Sequence, residues 1–302
     1  QIETFDPHEP FDTPDSYISR ICDPDTIGEL DWPPYAPVTE TEEEIRSFRM
    51  HYLALLGFCD DSLGKVLDCF DKYDLWKDTM LIVNTDHGFF LGEHNFIGKN
   101  FPPMYDEVIH TPFFIHDPRY GHDGERRNSV CQTVDIVPTL MNYFGVEPFA
   151  DMDGRDLAPV IEKDEKIHDQ ILYGLHGGQI NVYDGRYVFM KGNTSKDQPV
   201  YNLTLMPTNM RGFFAKEELK SAELVDGGRY SHHLPVLQVP ALHSMGSFFS
   251  WPDALYDKAN DPEQKTPVTD PELIRQMTAR LKSAMKAADA PDWQYKRLGI
   301  DK

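Results

Sequence analysis

Residues 80–99 read MLIVNTDHGFFLGEHNFIGK, and this stretch decides the fold. Met80-Leu81-Ile82-Val83 is a short apolar run, the pattern of a strand buried on both faces. Directly after it come Asn84-Thr85-Asp86-His87-Gly88, then Gly92-Glu93-His94 and Gly98-Lys99. Open α/β sheets gather their sites at the carboxyl ends of such strands.

Reading outward supports an α/β alternation. Upstream, Thr41 and Glu44 form a capping box, and Ile45, Phe48, Tyr52, Leu55, Leu56, Cys59, Leu63, Val66, Leu67 and Phe70 recur at helical spacing. Residues 1–40, rich in Pro and Asp, read as an irregular loop. Downstream, Pro112-Phe113-Phe114-Ile115 is a second buried strand, and Val134 to Phe144 a helix closed by Gly145. Helix, strand, loop, strand, helix is the order of an α/β layer. After about residue 160 the pattern changes. Two alternating runs, Gln179 to Tyr183 and Arg186 to Met190, flank Asp184-Gly185 as a hairpin, and a loop-rich stretch with several histidines follows. Asp270 and Pro271 then open a helix whose apolar stripe is Leu273, Met277, Leu281, Met285 and Ala288. The expected domains are therefore 1–160, an α/β core, and 161–302, an antiparallel sheet covered by a helix.

Composition narrows the function. A formal charge of −21 over 302 residues, with no basic stripe, excludes a nucleic-acid partner. No apolar run reaches the roughly 18 residues of a membrane span. Cys22, Cys59, Cys69 and Cys131 show no zinc-site spacing, and Cys59 and Cys69 read as buried thiols on the long helix. The chain opens on Gln-Ile-Glu-Thr-Phe-Asp-Pro-His, with neither an initiator Met nor a signal peptide. An anionic substrate would need local cations, or a bound metal, against this overall field.

The side chains able to supply these are few. Asp86 beside His87 offers an oxygen and a nitrogen to a divalent metal, and Lys99 a compact positive charge for a sulfate or phosphate. Read alone, Asp-His-Gly is as well explained by an ordinary strand-exit turn. In Asp6-Pro7-His8-Glu9-Pro10, two prolines restrict the backbone around His8, which suits a group that contacts a leaving oxygen, but read alone the motif is better explained by a solvent-exposed loop histidine. His51 falls on the boundary face of the long helix. His94, His110, His116 and His122 lack ligand spacing and read as structural.

FDPHEPFDTPDSY, NTDHGFFLGEHNFIGK, VDIVPTLMNYFGV and ALYDKANDPEQ, in this order, resemble the sulfatase family of the alkaline-phosphatase-like superfamily. The resemblance implies part of that family's three-layer α/β sheet, with a smaller C-terminal α+β subdomain of antiparallel sheet plus helix. It implies Asp86 and His87 as metal ligands, Ca2+ first with Mg2+ or Mn2+ possible. Lys99 would contact the sulfate, and His8 would contact it or protonate the leaving oxygen. A sulfated small molecule or glycan would be the substrate, with His94, His176, His232, His233 and His243 as pocket candidates of lower rank. The family's nucleophile, a formylglycine from a C-x-P-x-R or S-x-P-x-R motif, and its N-terminal Asp pair have no counterpart here. The expectation is a C-terminal part of a sulfatase, inactive without a missing N-terminal segment of the same protein. The alternatives are a phosphodiester or phosphonate monoester hydrolase and a non-catalytic subunit or binding remnant.

Overall fold

The protein is described from a computed structural model covering all residues except 29–31, 101–102, 123, 195–197, 199, 210–211, 242–250 and 302. It divides into two compact units, Gln1–Asp123 and Gly124–Lys302. The compositional change near residue 160 thus lies inside the second unit. Residues 127–135 bond there to 155–168, through Arg127 to the Val160 carbonyl at 2.9 Å and His168 to Asp135 at 3.0 Å.

The first unit runs α1 (Asp15–Ile21), β1 (Ala36–Pro37), α2 (Glu42–Tyr73), β2 (Leu81–Asn84), β3 (Phe90–Leu91), β4 (Phe96–Gly98), α3 (Asp106–Ile109) and β5 (Phe113–His116). Helix α2 starts where its capping box predicts. The Thr41 hydroxyl accepts from the Glu44 amide, and the Glu44 carboxylate accepts from the Thr41 amide at 2.8 Å. Its buried face carries Phe48 and Leu55 into a cluster with Phe11 and Ile97. Cys69 sits one residue, about 100° of helix, from buried Phe70 and is exposed, while Cys59 is half-buried. The reading of both as buried thiols is therefore corrected: Cys69 lies off the buried stripe, and Cys59, four residues after buried Leu55, is only partly covered.

Strand β2 also departs from expectation. Among the described residues it pairs with β5 alone, antiparallel, with Leu81 opposite His116 and Asn84 opposite Phe113. Leu81–Val83 are only partly buried, and Phe114 is 66% exposed. A two-stranded ribbon cannot cover both of its own faces, so an apolar run does not make these strands fully buried.

The second unit runs α4 (Ile136–Tyr143), α5 (Ala158–Lys163), β6 (Ile171–Gly174), β7 (Ile180–Tyr183), β8 (Tyr187–Lys191), β9 (Tyr201–Thr204), β10 (Thr208–Asn209), β11 (Gly212–Phe213), α6 (Lys216–Lys220), β12 (Glu223–Asp226), β13 (Pro235–Pro240), β14 (Ala254–Asp257), α7 (Pro271–Ala287) and α8 (Asp292–Leu298). Strands β14-β8-β7-β6 form one antiparallel sheet. The predicted hairpin is its centre: Gly185 takes φ +99°, and the Asp184 carboxylate accepts from the Arg186 and Tyr187 amides. Val182, Phe189 and Leu255 meet Met277, Leu281 and Met285 of α7, which Asp270 caps. A second antiparallel sheet, β12-β13-β9, lies in the same unit. No helix among the described residues is long and apolar enough to cross a membrane.

Candidate active site

The site is assembled by core residues adjacent in sequence to the polar ones. Phe11, 1% exposed, packs on Phe48 and Phe89 at ring distances of 4.9 and 5.5 Å, which fixes the loop bearing His8 and Glu9. Buried Ile97 does the same for Lys99. The turn between β3 and β4 is held by Glu93, which accepts from the Leu91 amide at 2.6 Å and from Arg49 of α2 at 3.0 Å. His94 stacks on Tyr105 with centroids 3.7 Å apart, and its Nε2 lies 3.4 Å from Glu107. Glu93 and His94 thus hold the turn that delivers Lys99.

His8 and Lys99, 91 positions apart, are brought together. His8 Nδ1 donates to the Glu9 carbonyl oxygen at 2.7 Å, so Nε2 carries the lone pair and accepts from Lys99 Nζ at 2.9 Å. Lys99 Nζ also lies 3.3 Å from each carboxylate oxygen of Glu9. Glu9 in turn accepts a hydrogen bond from the Tyr35 hydroxyl. Lys99 and Glu9 are both buried. Burial works to raise the Glu9 pKa, but Tyr35, its own backbone amide, Lys99 and His8 hold it below the ordinary carboxylate value. Burial and Glu9 together push the Tyr35 phenol up, so it remains a donor.

Sequence reasoning missed Glu9 and Tyr35. Glu9 could have been found: a carboxylate between two prolines and next to a candidate histidine is poorly placed for free solvation. Tyr35 stands alone in a Pro-rich loop and carries no such signal. Its ring packs edge-on against Phe89 at 5.8 Å, two residues beyond His87.

Asp86 and His87 stand at the exit of β2. Asp86 Oδ1 accepts from the His87 amide at 2.9 Å. His87 Nδ1 donates to the Gly88 carbonyl at 3.0 Å, so in the neutral ring the lone pair is on Nε2, 3.4 Å from Asp86 Oδ2. Burial works to raise the Asp86 pKa, but His87 and backbone amides hold it below its ordinary value. An ionised carboxylate beside an imidazole lone pair fits a divalent cation. Among the described residues, however, no three His, Cys, Asp or Glu side chains converge as a ligand set. These two residues therefore fit as part of a coordination sphere. Gly88 is required by close approach: a Cβ there would lie 1.9 Å from the Glu107 carbonyl oxygen, and its amide donates to Val108 at 2.7 Å.

The other candidates lie in the second unit. His232 and His233 are exposed, with left-handed φ in the turn before β13, and face Asp151 and Asp226. His176 lines a cavity beside Arg297. His243 lies outside the described residues. The quoted motifs there carry structure. Asp135 is fully buried and accepts from the Gln132 and Arg155 amides and from His168. Asp257 accepts from Arg186 and Asn260 and sits at about 2, chiefly through Arg186.

Comparison with known proteins agrees with the motifs. The Sulfatase family model matches residues 3–146, and the model of the N-sulphoglucosamine sulphohydrolase C-terminal region matches residues 92–220. An N-acetylglucosamine-6-O-sulfatase of Bacteroides thetaiotaomicron is 32% identical over 121 residues, covering 40% of this chain and 21% of that protein. A solved protein in complex with its substrate D-glucosamine-2-N,6-O-disulfate superposes with TM-score 0.58 at 18% identity, over 83% of this chain and 43% of the other. The phosphonate monoester hydrolase of Agrobacterium radiobacter superposes with TM-score 0.61 at 19% identity, over 94% and 55%. This chain spans about a fifth of that relative and about half of these solved chains. Proteins of this family and fold typically bind a divalent metal. Over residues 3–220 the chain is thus similar to sulfatases, and its fold is the alkaline-phosphatase-like one of the solved sulfatases.

Proposed function

We propose that the protein carrying this chain hydrolyses sulfuric esters, with Lys99 and His8 contacting the sulfate and Asp86 and His87 holding a divalent metal, calcium first. The observation that carries this reading is the meeting of His8 and Lys99 at 2.9 Å across 91 positions. Lys99 keeps a compact cation on a rigid strand exit, where it can donate to an anion. His8 accepts at Nε2 in this tautomer, so its acid role requires a second proton on the ring. Glu9 Oε2 lies 3.4 Å from Nδ1 on the other side of the ring.

Charge balance supports the metal. Glu9 and Asp86 outweigh Lys99 by one negative charge, so these residues alone do not attract a sulfate. A divalent cation reverses the sign. When bound, it would polarise the sulfuryl oxygens. Under this reading the nucleophile and further metal ligands come from outside the residues of this chain. The substrate is a sulfated small molecule or glycan, in line with the sugar sulfatase among the relatives.

The full-length protein should hydrolyse an aryl sulfate, and a chelator should abolish turnover. Lys99→Met should lower kcat/KM by about two orders of magnitude. Unchanged kinetics in that variant would refute the role of Lys99. The phosphonate hydrolase sharing the fold favours a second reading, phosphonate monoester hydrolysis. A higher kcat/KM on a matched aryl phosphonate than on the sulfate would select it.

A further inference from the structure

On the reading that His8 meets the leaving oxygen of a sulfuric ester, we infer that Phe5 is a further substrate-binding residue. Its exposed ring is the platform for the cyclic group, sugar or aryl, that carries the sulfate.

Phe5 is 69% exposed, a large apolar side chain left in water. A single exposed Phe needs no explanation by itself. Its neighbour supplies one. The Phe5 ring lies against the His8 imidazole, with centroids 4.6 Å apart and planes tilted by 35°. The backbone keeps the two together. The His8 amide donates to the Phe5 carbonyl at 3.1 Å and closes a turn through Asp6 and Pro7, and the Thr4 hydroxyl donates to the Asp6 carbonyl at 3.1 Å. The ring is thus delivered to the histidine by a short closed turn whose Pro7 has a fixed φ.

The other groups of the cluster are engaged or covered. Lys99 and Glu9 are buried against each other, and Tyr35 donates to Glu9 while its ring packs on Phe89. Phe11 is 1% exposed. The polar groups suit an anion and a leaving oxygen, but they give no open apolar surface to the rest of an organic sulfate. Phe5 does. His8 Nε2 belongs to the ring that Phe5 contacts, so a cyclic group one covalent bond beyond an oxygen held there comes within reach of Phe5. An aryl ring and the C–H face of a sugar ring both present a flat apolar surface that an aromatic side chain can cover. Inorganic sulfate presents none. A Phe5 that merely braced His8 would instead act on every anion that the histidine meets.

The test is steady-state kinetics of the full-length protein and its Phe5→Ala variant. 4-Nitrophenyl sulfate and D-glucosamine 6-sulfate serve as ring-bearing substrates, and inorganic sulfate as a ringless competitive inhibitor. In Phe5→Ala the KM for at least one ester should rise about fivefold, the size expected for one lost aromatic contact, and Phe5→Trp should restore it. The inhibition constant of sulfate should move less than about twofold. Which ester responds tells a sugar ring from an aryl ring. The variant removes an exposed side chain, so its melting temperature should hold. If the parent protein turns over neither ester, the sulfatase reading falls and the role of Phe5 with it. If the parent is active, three results overturn the role of Phe5 alone. They are an unchanged KM for both esters, a fall in kcat with no rise in KM, and an equal rise in the sulfate inhibition constant.

Discussion

Replacing Glu9 by Gln isolates the interaction on which the candidate site rests. The side chain keeps its shape, but it must now meet two donors, Lys99 Nζ and the Tyr35 hydroxyl, with one acceptor oxygen and an amide NH2. One donor is left facing another, and buried Lys99 loses the carboxylate beside it. A lost hydrogen bond to a charged group costs about 1.5–3 kcal/mol. An uncompensated buried charge costs about 3–5 kcal/mol. The Gln oxygen retains one bond, so the expected loss is about 2–4 kcal/mol, read from the denaturant midpoint. The sign with pH follows from Glu9 being held below 4.5 in the folded state. Its contribution is fully present above that value and is lost as pH falls from about 4.5 through the lowered folded value. Glu9→Gln should flatten that part of the acid limb. Tyr35→Phe, which leaves the Lys99 pair intact, should cost only about 1 kcal/mol. A Glu9→Gln midpoint within 0.5 kcal/mol of the parent, with an unchanged acid limb, would show that water, not Glu9, satisfies Lys99.

Gly88→Ala should cost roughly 2 kcal/mol or more in thermal unfolding, because the new Cβ meets backbone at Glu107 and not a movable side chain. Leu281→Ala, at the fully buried centre of the α7 interface, should cost about 3–4 kcal/mol by chemical denaturation. Asp135→Ala strips His168 and two backbone amides of their acceptor and should cost at least about 3 kcal/mol in the same assay. Asp86→Ala should weaken calcium binding to the full-length protein at least about tenfold by calorimetry; equal affinity would remove Asp86 from the metal site.

What was legible in the sequence follows the range of each signal. Local signals carried far: the Thr41–Glu44 box, the Asp184-Gly185 hairpin and the Asp270-Pro271 helix start are each fixed by neighbours within four residues. Burial did not carry. The run at 80–83 looks the same whether two faces are covered or neither, and the periodicity of α2 did not reveal which flank Cys69 would take. The charge partners were hidden for another reason. The Lys99–Glu9 pair spans 90 positions, and its geometry depends on where Phe11 and Ile97 settle in the core. Motif reading singled out His8 and Lys99 and passed over Glu9, whose carboxylate lies 3.3 Å from Lys99 Nζ and 3.4 Å from His8 Nδ1.

That omission changes how a Lys99 variant should be read. Read as an anion contact, Lys99 could be removed with a loss mainly of turnover and sulfate affinity and with the fold left intact. In the structure it also strands a buried carboxylate, since Glu9 keeps only Tyr35, its own backbone amide and His8 as stabilising neighbours. Glu9 would then protonate more readily, and its pull on the His8 ring would weaken. A kinetic loss in Lys99→Ala would therefore combine a missing contact to substrate with a displaced histidine. Pairing the substitution with Glu9→Gln separates the two. If Lys99 acts by touching the anion, the double variant loses as much turnover as Lys99→Met alone. If it acts by fixing Glu9 and His8, removing the stranded carboxylate restores part of the rate.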